Sequence, residues 1–238
     1  MSQDRQAALV TGGARRVGRA IVQVLADAGF DVLFTTRGHA PDAPASPGGR
    51  IIPVNLDVTD LPQSGDQLLE TIQHTVRRLD VLVHNASIYE PGDLAHASLR
   101  QIRRMNRIHI ETPIMLTKAL TPLLKASRGH VILMLDAAVD RPWPAYLAYM
   151  ASKAAMANLT LSMARALAPE ITVNGIAPGV VDWPDDMPAD ARERYLSRVP
   201  LARAGEPADA ARIVKFLVTE GRYITGQIIR VDGGRSVV

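Results

Sequence analysis

Short runs of β-branched and apolar residues alternate along this chain with longer stretches whose apolar positions recur every three or four residues. Such alternation is the pattern of βαβ units, because two parallel strands need a crossover long enough to hold a helix. It predicts strands over Ala7–Thr11, Asp31–Thr36, Ile51–Asn55, Val81–Asn85, His130–Leu135, Thr172–Ala177 and Ile228–Asp232. Helical spacing is read near Arg19–Ala28, Gln67–Arg78, Leu99–Leu124, Tyr146–Leu167 and Asp209–Thr219. Seven strands with these connections predict an α/β fold, one doubly wound domain over residues 1–238 with a seven-stranded parallel sheet flanked by helices.

Two stretches interrupt the pattern. Gly38–Gly49 holds three prolines and three glycines, which predicts a surface loop after the second strand. Pro178–Pro188 is rich in proline and acid and precedes a helical-looking Ala189–Ser197. In a doubly wound fold, ligands gather beyond the carboxyl ends of the strands, so this loop, taken as residues 178–200, is placed to cover a substrate.

Composition narrows the chemistry. There is no cysteine, which removes disulfides, thiolate nucleophiles and Cys-based metal sites, and no metal site is expected. Apolar residues make up 47% and charged residues 21%, ordinary globular usage. The N-terminus is polar and no run approaches the length of a membrane span, so a cytoplasmic protein with no membrane partner is expected. The 27 basic residues are spread along the chain among 24 acids with no basic run, which argues against nucleic acid. Only four of the 27 are lysines, so each lysine merits inspection.

The first strand runs into Thr11-Gly12-Gly13-Ala14-Arg15-Arg16-Val17-Gly18 and then a helix. Glycines at such a turn let the backbone approach a pyrophosphate, and the helix N-terminus aims free N–H groups at it, as in a Rossmann-type dinucleotide site. Gly12, Gly13 and Gly18 fit that role, although any tight strand–helix turn also favours glycine. The second strand ends Thr35-Thr36-Arg37, with no acid for a ribose 2′-hydroxyl. Arg37, with Arg15 nearby, suits a 2′-phosphate instead, so NADPH/NADP is the expected cofactor. Asp57, after the third strand, is placed to accept from an adenine amino group. Asn85-Ala86-Ser87, after the fourth, is small and polar beside the expected dinucleotide; either set also suits strand-end capping.

Tyr149 and Lys153 stand four apart in a helical stretch and therefore share a face. Reducing a C=O or C=N bond needs a proton as well as a hydride, and a tyrosine beside an ammonium supplies one if its pKa is drawn down. Asp136 closes the fifth strand, where its carboxylate is available to Tyr149 or to a substrate amine.

Taken in order, the glycine turn, Asn85-Ala86, Tyr149-x-x-x-Lys153, Asn174-Gly175-Ile176-Ala177-Pro178-Gly179, Tyr223-Ile224-Thr225-Gly226 and Val231-Asp232-Gly233-Gly234 resemble the short-chain dehydrogenase/reductase superfamily over nearly the whole chain. Within it, Arg16 in place of the usual middle glycine and Asp136 in place of the usual catalytic serine resemble the pteridine reductases and bacterial dihydromonapterin reductases. Asn85-Ala86-Ser87-Ile88-Tyr89 is similar to their aromatic segment, Asp185-Asp186-Met187-Pro188 to their substrate loop, and Arg107-Ile108-His109 with Thr112-Pro113 to the dihydromonapterin reductases.

The resemblance implies Asp136, Tyr149 and Lys153 as catalytic residues. The implied cofactor set is Gly12, Arg15, Arg16, Val17, Gly18, Arg37, Asp57, Val58, Asn85, Ala86, Tyr149, Lys153, Pro178 and Gly179. Arg16, Ser87, Tyr89, Asp136 and Tyr149 are implied to hold a small-molecule pteridine between the nicotinamide and Tyr89. His109 stands where most of the superfamily has an asparagine that helps hold a relay water; an imidazole can hold a water too. The resemblance also implies a homotetramer, with the long helices near Leu99–Leu124 and Tyr146–Leu167 at an interface. Two other readings are kept: a reductase of a ketone such as a 3-oxoacyl thioester, which predicts serine at position 136, and a non-catalytic NADPH sensor, which has no need of Tyr149 with Lys153.

Overall fold

The computed structural model describes residues 5–38, 46–183 and 187–238. Seven parallel strands form one sheet: β1 (Ala7–Val10), β2 (Asp31–Thr36), β3 (Ile51–Asn55), β4 (Val81–His84), β5 (His130–Met134), β6 (Thr172–Pro178) and β7 (Ile228–Val231). Their order is β3-β2-β1-β4-β5-β6-β7, so the direction of winding reverses between β1 and β4. That reversal opens a crevice at the carboxyl edge, the usual place for a ligand in such sheets.

The central strands β1, β4 and β5 are buried throughout and largely apolar because both faces are covered. Successive side chains alternate between faces, so Leu9, Leu33 and Leu82 enter one core while Val10, Phe34 and Val83 enter the other. The first core is closed by α2 (Gln63–Thr75) through Leu68 and Ile72, and by α4 (Thr112–Ser127) through Leu116, Leu120 and Leu124. The second is closed by α1 (Arg16–Asp27) and α7 (Pro207–Thr219), whose stripes Ile21, Val22, Leu25 and Ala210, Val214, Leu217 follow helical spacing.

The expected strands are all present, with ends displaced by at most one residue. The expected Leu99–Leu124 helix is not continuous. It divides into α3 (Leu99–Asn106), a π-helical turn over Arg107–Glu111, and α4. Pro113 supplies the reason: it has no N–H for the carbonyl four residues back, that of His109, and its ring crowds that carbonyl, so the helix widens there. Helix α5 (Leu147–Leu167) carries Tyr149 and Lys153, and α6 (Ala189–Leu196) lies where Ala189–Ser197 is read as helical. No helix among the described residues is long and apolar enough to cross a membrane.

Candidate active site

The turn from β1 into α1 is built for close approach. Gly12 has φ +65°, and a Cβ there would lie 3.0 Å from Ala86 Cα. A Cβ on Gly18 would fall 2.3 Å from the Gly12 carbonyl and 2.6 Å from Asn85 Nδ2, so only glycine lets the helix start this near the turn. Side chains from neighbouring strands brace it. Thr35 Oγ1 accepts from Gly12 N at 3.0 Å, and Asn85 Nδ2 donates to the Thr11 and Gly12 carbonyls, each at 3.0 Å. Thr11 Oγ1 in turn accepts from the backbone N–H groups of Asn85 and Ala86 at 3.0 Å. Asn85 therefore acts on the turn, and its amide hydrogens are committed there. The bracing roles of Thr11 and Thr35 are not legible in the sequence, where a threonine ending a strand carries no distinguishing signal.

A cleft of about 850 Å³ runs along this turn. Its walls include Gly12, Arg15, Arg16, Val17 and Gly18, then Arg37, Asp57 and Val58, then Ala86, Ser87 and Tyr89. The sequence-picked positions from four strand ends thus converge on one groove. Val58 is at the same time part of the buried core. Asp57 Oδ1 accepts from the Thr59 N–H at 2.9 Å and the Thr59 hydroxyl at 2.7 Å. Partial burial raises the Asp57 pKa, but those bonds and the nearby Arg37 and Arg107 outweigh it, leaving the carboxyl below its usual range. Arg104 and Arg107 also line the groove, and Arg107 Nε donates to the Thr59 carbonyl at 2.6 Å. Arg104 is absent from the sequence reading, since one arginine among 23 has no distinguishing context.

Arg16 occupies the left-handed region at φ +50°, a conformation that favours glycine. Its Nε pairs with Asp182 Oδ2 at 3.1 Å, which ties the loop after β6 to the phosphate turn. Pro178 and Gly179 lie at the end of β6; the Pro178 carbonyl accepts from Ala137 N at 2.9 Å, and Gly179 N donates to the Val231 carbonyl at 3.0 Å. Asp185 and Asp186 of the expected substrate loop lie outside the described residues, as does part of the Gly38–Gly49 loop.

Tyr149 stands beside Tyr89, with ring centroids 5.0 Å apart and the rings edge to face. Its hydroxyl donates to Asp136 Oδ2 at 2.9 Å, while Asp136 Oδ1 accepts from Ala138 N at 2.8 Å. Lys153, 3% exposed, donates to the Met134 carbonyl at 2.8 Å, and its Nζ lies 5.8 Å from the Tyr149 ring centre. Burial lowers the Lys153 pKa to about 8, with the Asp136 charge opposing.

The expected lowering of Tyr149 by Lys153 is not what these surroundings produce. Burial pushes the phenol well above its usual range, and the Asp136 charge and hydrogen bond push the same way. Tyr149 is a protonated acid at neutral pH, with its proton directed to Asp136. The exposed Tyr89 ring, 46% accessible, stacks on Tyr146 with centroids 4.6 Å apart. Tyr146 was missed, although its place three residues before Tyr149 could have flagged it.

His109 lies in the π-helical turn and is fully buried. Its Nε2 meets Ser87 Oγ at 2.8 Å and its Nδ1 meets Ser152 Oγ at 2.8 Å. Both ring nitrogens are engaged by serines, which answers the question the sequence left open about what this imidazole bonds to. Among the described residues, no group of three or more His, Asp and Glu side chains is placed to hold a metal.

Residues 12–236 match the family model described as Enoyl-(Acyl carrier protein) reductase. The chain is 34% identical over 241 residues to the 3-oxoacyl-[acyl-carrier-protein] reductase of Synechocystis sp. (strain PCC 6803), covering 96% of each chain. It is 32% identical over 236 residues to the dihydromonapterin reductase of Shigella boydii, again covering 96% of each. Among solved structures it resembles acetoin dehydrogenase from Salmonella typhimurium, with a TM-score of 0.88 and 28% identity over 98% of this chain and 97% of that one. With the sheet order, the glycine turn and the Tyr149–Lys153 pair already in place, these likenesses over nearly the full length make the chain a member of the short-chain dehydrogenase/reductase family, an oxidoreductase.

Proposed function

We propose that this oxidoreductase is an NADPH-dependent pteridine reductase, taking a dihydropterin such as dihydromonapterin or dihydrobiopterin to its tetrahydro form. The observation that carries this reading is the Asp136 carboxylate bonded to the Tyr149 hydroxyl at 2.9 Å. A carboxylate accepts hydrogen bonds and offers none, so it suits the N–H groups of a pteridine edge, which a ketone does not have.

The groove residues fit the cofactor. The bare backbone of Gly12 and Gly18 at the start of α1 suits a pyrophosphate, Arg15 and Arg37 suit a 2′-phosphate, and Lys153 keeps donors to spare for ribose hydroxyls beyond its bond to Met134. Bound NADPH supplies the hydride. Tyr149 holds the proton for the nitrogen beside the reduced carbon. Its high pKa keeps it protonated, but its O–H is turned to Asp136. A pteridine N–H that takes the place of Tyr149 on the carboxylate satisfies Asp136 and frees the phenolic proton for transfer. The exposed Tyr89 face, backed by Tyr146, offers a stacking surface for the flat ring.

The similar identity to a 3-oxoacyl-[acyl-carrier-protein] reductase favours a second reading, a ketone reductase. The deciding assay follows NADPH oxidation by the purified protein with 7,8-dihydromonapterin, dihydrobiopterin, oxidised biopterin and dihydrofolate, beside a 3-oxoacyl thioester and an NADH control. Turnover of a pteridine with NADPH is expected. Turnover of the thioester alone would replace the proposal with the second reading, and tight NADPH binding with no turnover would favour a sensor. A homotetramer, which rests on the resemblance alone, and a cytoplasmic location, which rests on the sequence, complete the proposal.

A further inference from the structure

Every hydroxyl has one proton to give, and this constraint orients a chain of four groups beside the site. Ser152 Oγ lies 2.7 Å from the backbone carbonyl of Tyr149, which can only accept, so the Ser152 proton points there. Ser152 must then accept in its 2.8 Å contact with His109 Nδ1, which makes that nitrogen the N–H. His109 is fully buried, and burial together with the Lys153 charge lowers its pKa to about 2. It is therefore neutral, and Nε2 is a bare acceptor. The 2.8 Å contact at Nε2 can be made only if Ser87 donates its proton.

We infer that His109 is a positioning residue that turns Ser87 into an obligate hydrogen-bond acceptor toward the cleft. The chain runs one way, from Ser87 through His109 and Ser152 to the Tyr149 carbonyl. Ser87 lines the cleft wall, so its lone pairs are what a ligand meets. A free serine would serve donors and acceptors alike; this one discriminates. With Asp136 it gives the site two acceptors, and the ligand that satisfies both carries two separate N–H or O–H donors. The direction of the chain stands on the hydrogen-bond geometry around a buried, neutral imidazole, whereas its use in selecting a pteridine rests on the proposed function.

The test reads the tautomer directly. In a two-bond proton–nitrogen correlation spectrum of full-length protein labelled with 15N-histidine, the His109 signals are assigned by their loss in His109→Gln, or by their shift in Ser87→Ala should the first variant not fold. The expected result is the Nδ1–H form, unchanged between about pH 6 and 8. The Nε2–H form, or an imidazolium, overturns the inference. Ser152→Ala removes the group that imposes the direction. It is expected to let the imidazole adopt Nε2–H and to raise the KM for dihydrobiopterin about tenfold, the equivalent of one hydrogen bond, with kcat within about twofold. His109→Gln can offer its N–H to Ser152 and its carbonyl to Ser87, so it should recover most of the KM, and His109→Leu should not. Nδ1–H in a protein that turns over no pteridine would sustain the chain and sink the proposed substrate. Nε2–H in a protein that does turn over a pteridine would do the reverse.

Discussion

The Tyr149 hydroxyl donates to Asp136 Oδ2 at 2.9 Å, so the acid is held by a carboxylate thirteen residues earlier, two residues past the end of β5. Asp136 thereby both keeps Tyr149 protonated and directs its proton. Asp136→Ser is expected to lower pteridine turnover about a hundredfold, the usual scale for loss of a positioned acid–base partner, with NADPH affinity changed by less than about twofold. Steady-state kinetics beside NADPH fluorescence titration measure both. Unchanged turnover would remove Asp136 from the substrate site.

Arg37 lines the groove at the end of β2, where no acid follows Thr36. Arg37→Asp replaces a partner for a 2′-phosphate with one for a 2′-hydroxyl. The expected outcome is a KM for NADPH raised at least about tenfold and a KM for NADH lowered, since a charge-assisted bidentate contact is lost. Equal effects on the two cofactors would mean that Arg37 does not read the 2′ position.

Burial lowers the Lys153 pKa to about 8, so its charge is complete below that pH and disappears as pH rises through it. Rate measurements between about pH 6 and 10 should show kcat/KM falling on the alkaline side with a midpoint near 8, well below the usual lysine range. A profile flat to pH 10 would mean that the ammonium has no part in turnover.

His84 and His109 are buried with pKa values lowered to about 3 and about 2, chiefly by burial. The unfolded chain takes up protons on both as pH falls below about 6.5, whereas the folded chain does not. Their contribution is complete above that pH and is lost as pH falls toward the folded values, at up to about 1.4 kcal/mol per pH unit for each histidine. Urea unfolding at pH 7, 6 and 5 should show this slope, and His84→Gln should remove the share of one histidine. An unaltered slope in that variant would show that His84 is not the source.

Arg16 holds φ +50°, a region that costs a residue with a Cβ about 1–2 kcal/mol. Arg16→Gly and Arg16→Ala both lose the pair with Asp182, so the difference between them isolates the backbone. The glycine variant is expected to be the more stable by about 1 kcal/mol in thermal unfolding. The reverse order would place Arg16 in an ordinary helical conformation.

Much of this molecule was legible from local pattern. The central strands β1, β4 and β5 came within a residue of their ends because they are buried on both faces, and a largely apolar run of four or five residues records that burial directly. The pairing of Tyr149 with Lys153 followed from a spacing of four on one helix, and the groove from glycines and small polar residues at successive strand ends. Such features depend on a residue and its near neighbours, so a linear sequence contains them.

What the sequence by itself determined is the doubly wound sheet, the turn beneath the cofactor groove and the types of side chain available for chemistry. Tertiary structure alone decided what those side chains bond to. His109 meets Ser87 and Ser152 across 22 and 43 residues, and no pattern in the chain announces either contact. The break in the long helix at Arg107–Glu111, the left-handed Arg16 and the direction of the Tyr149 proton belong with them. Periodicity encodes which face of an element is buried. A hydrogen bond depends on where two distant elements come to rest to within a fraction of an ångström, and only the packed sheet and helices set that.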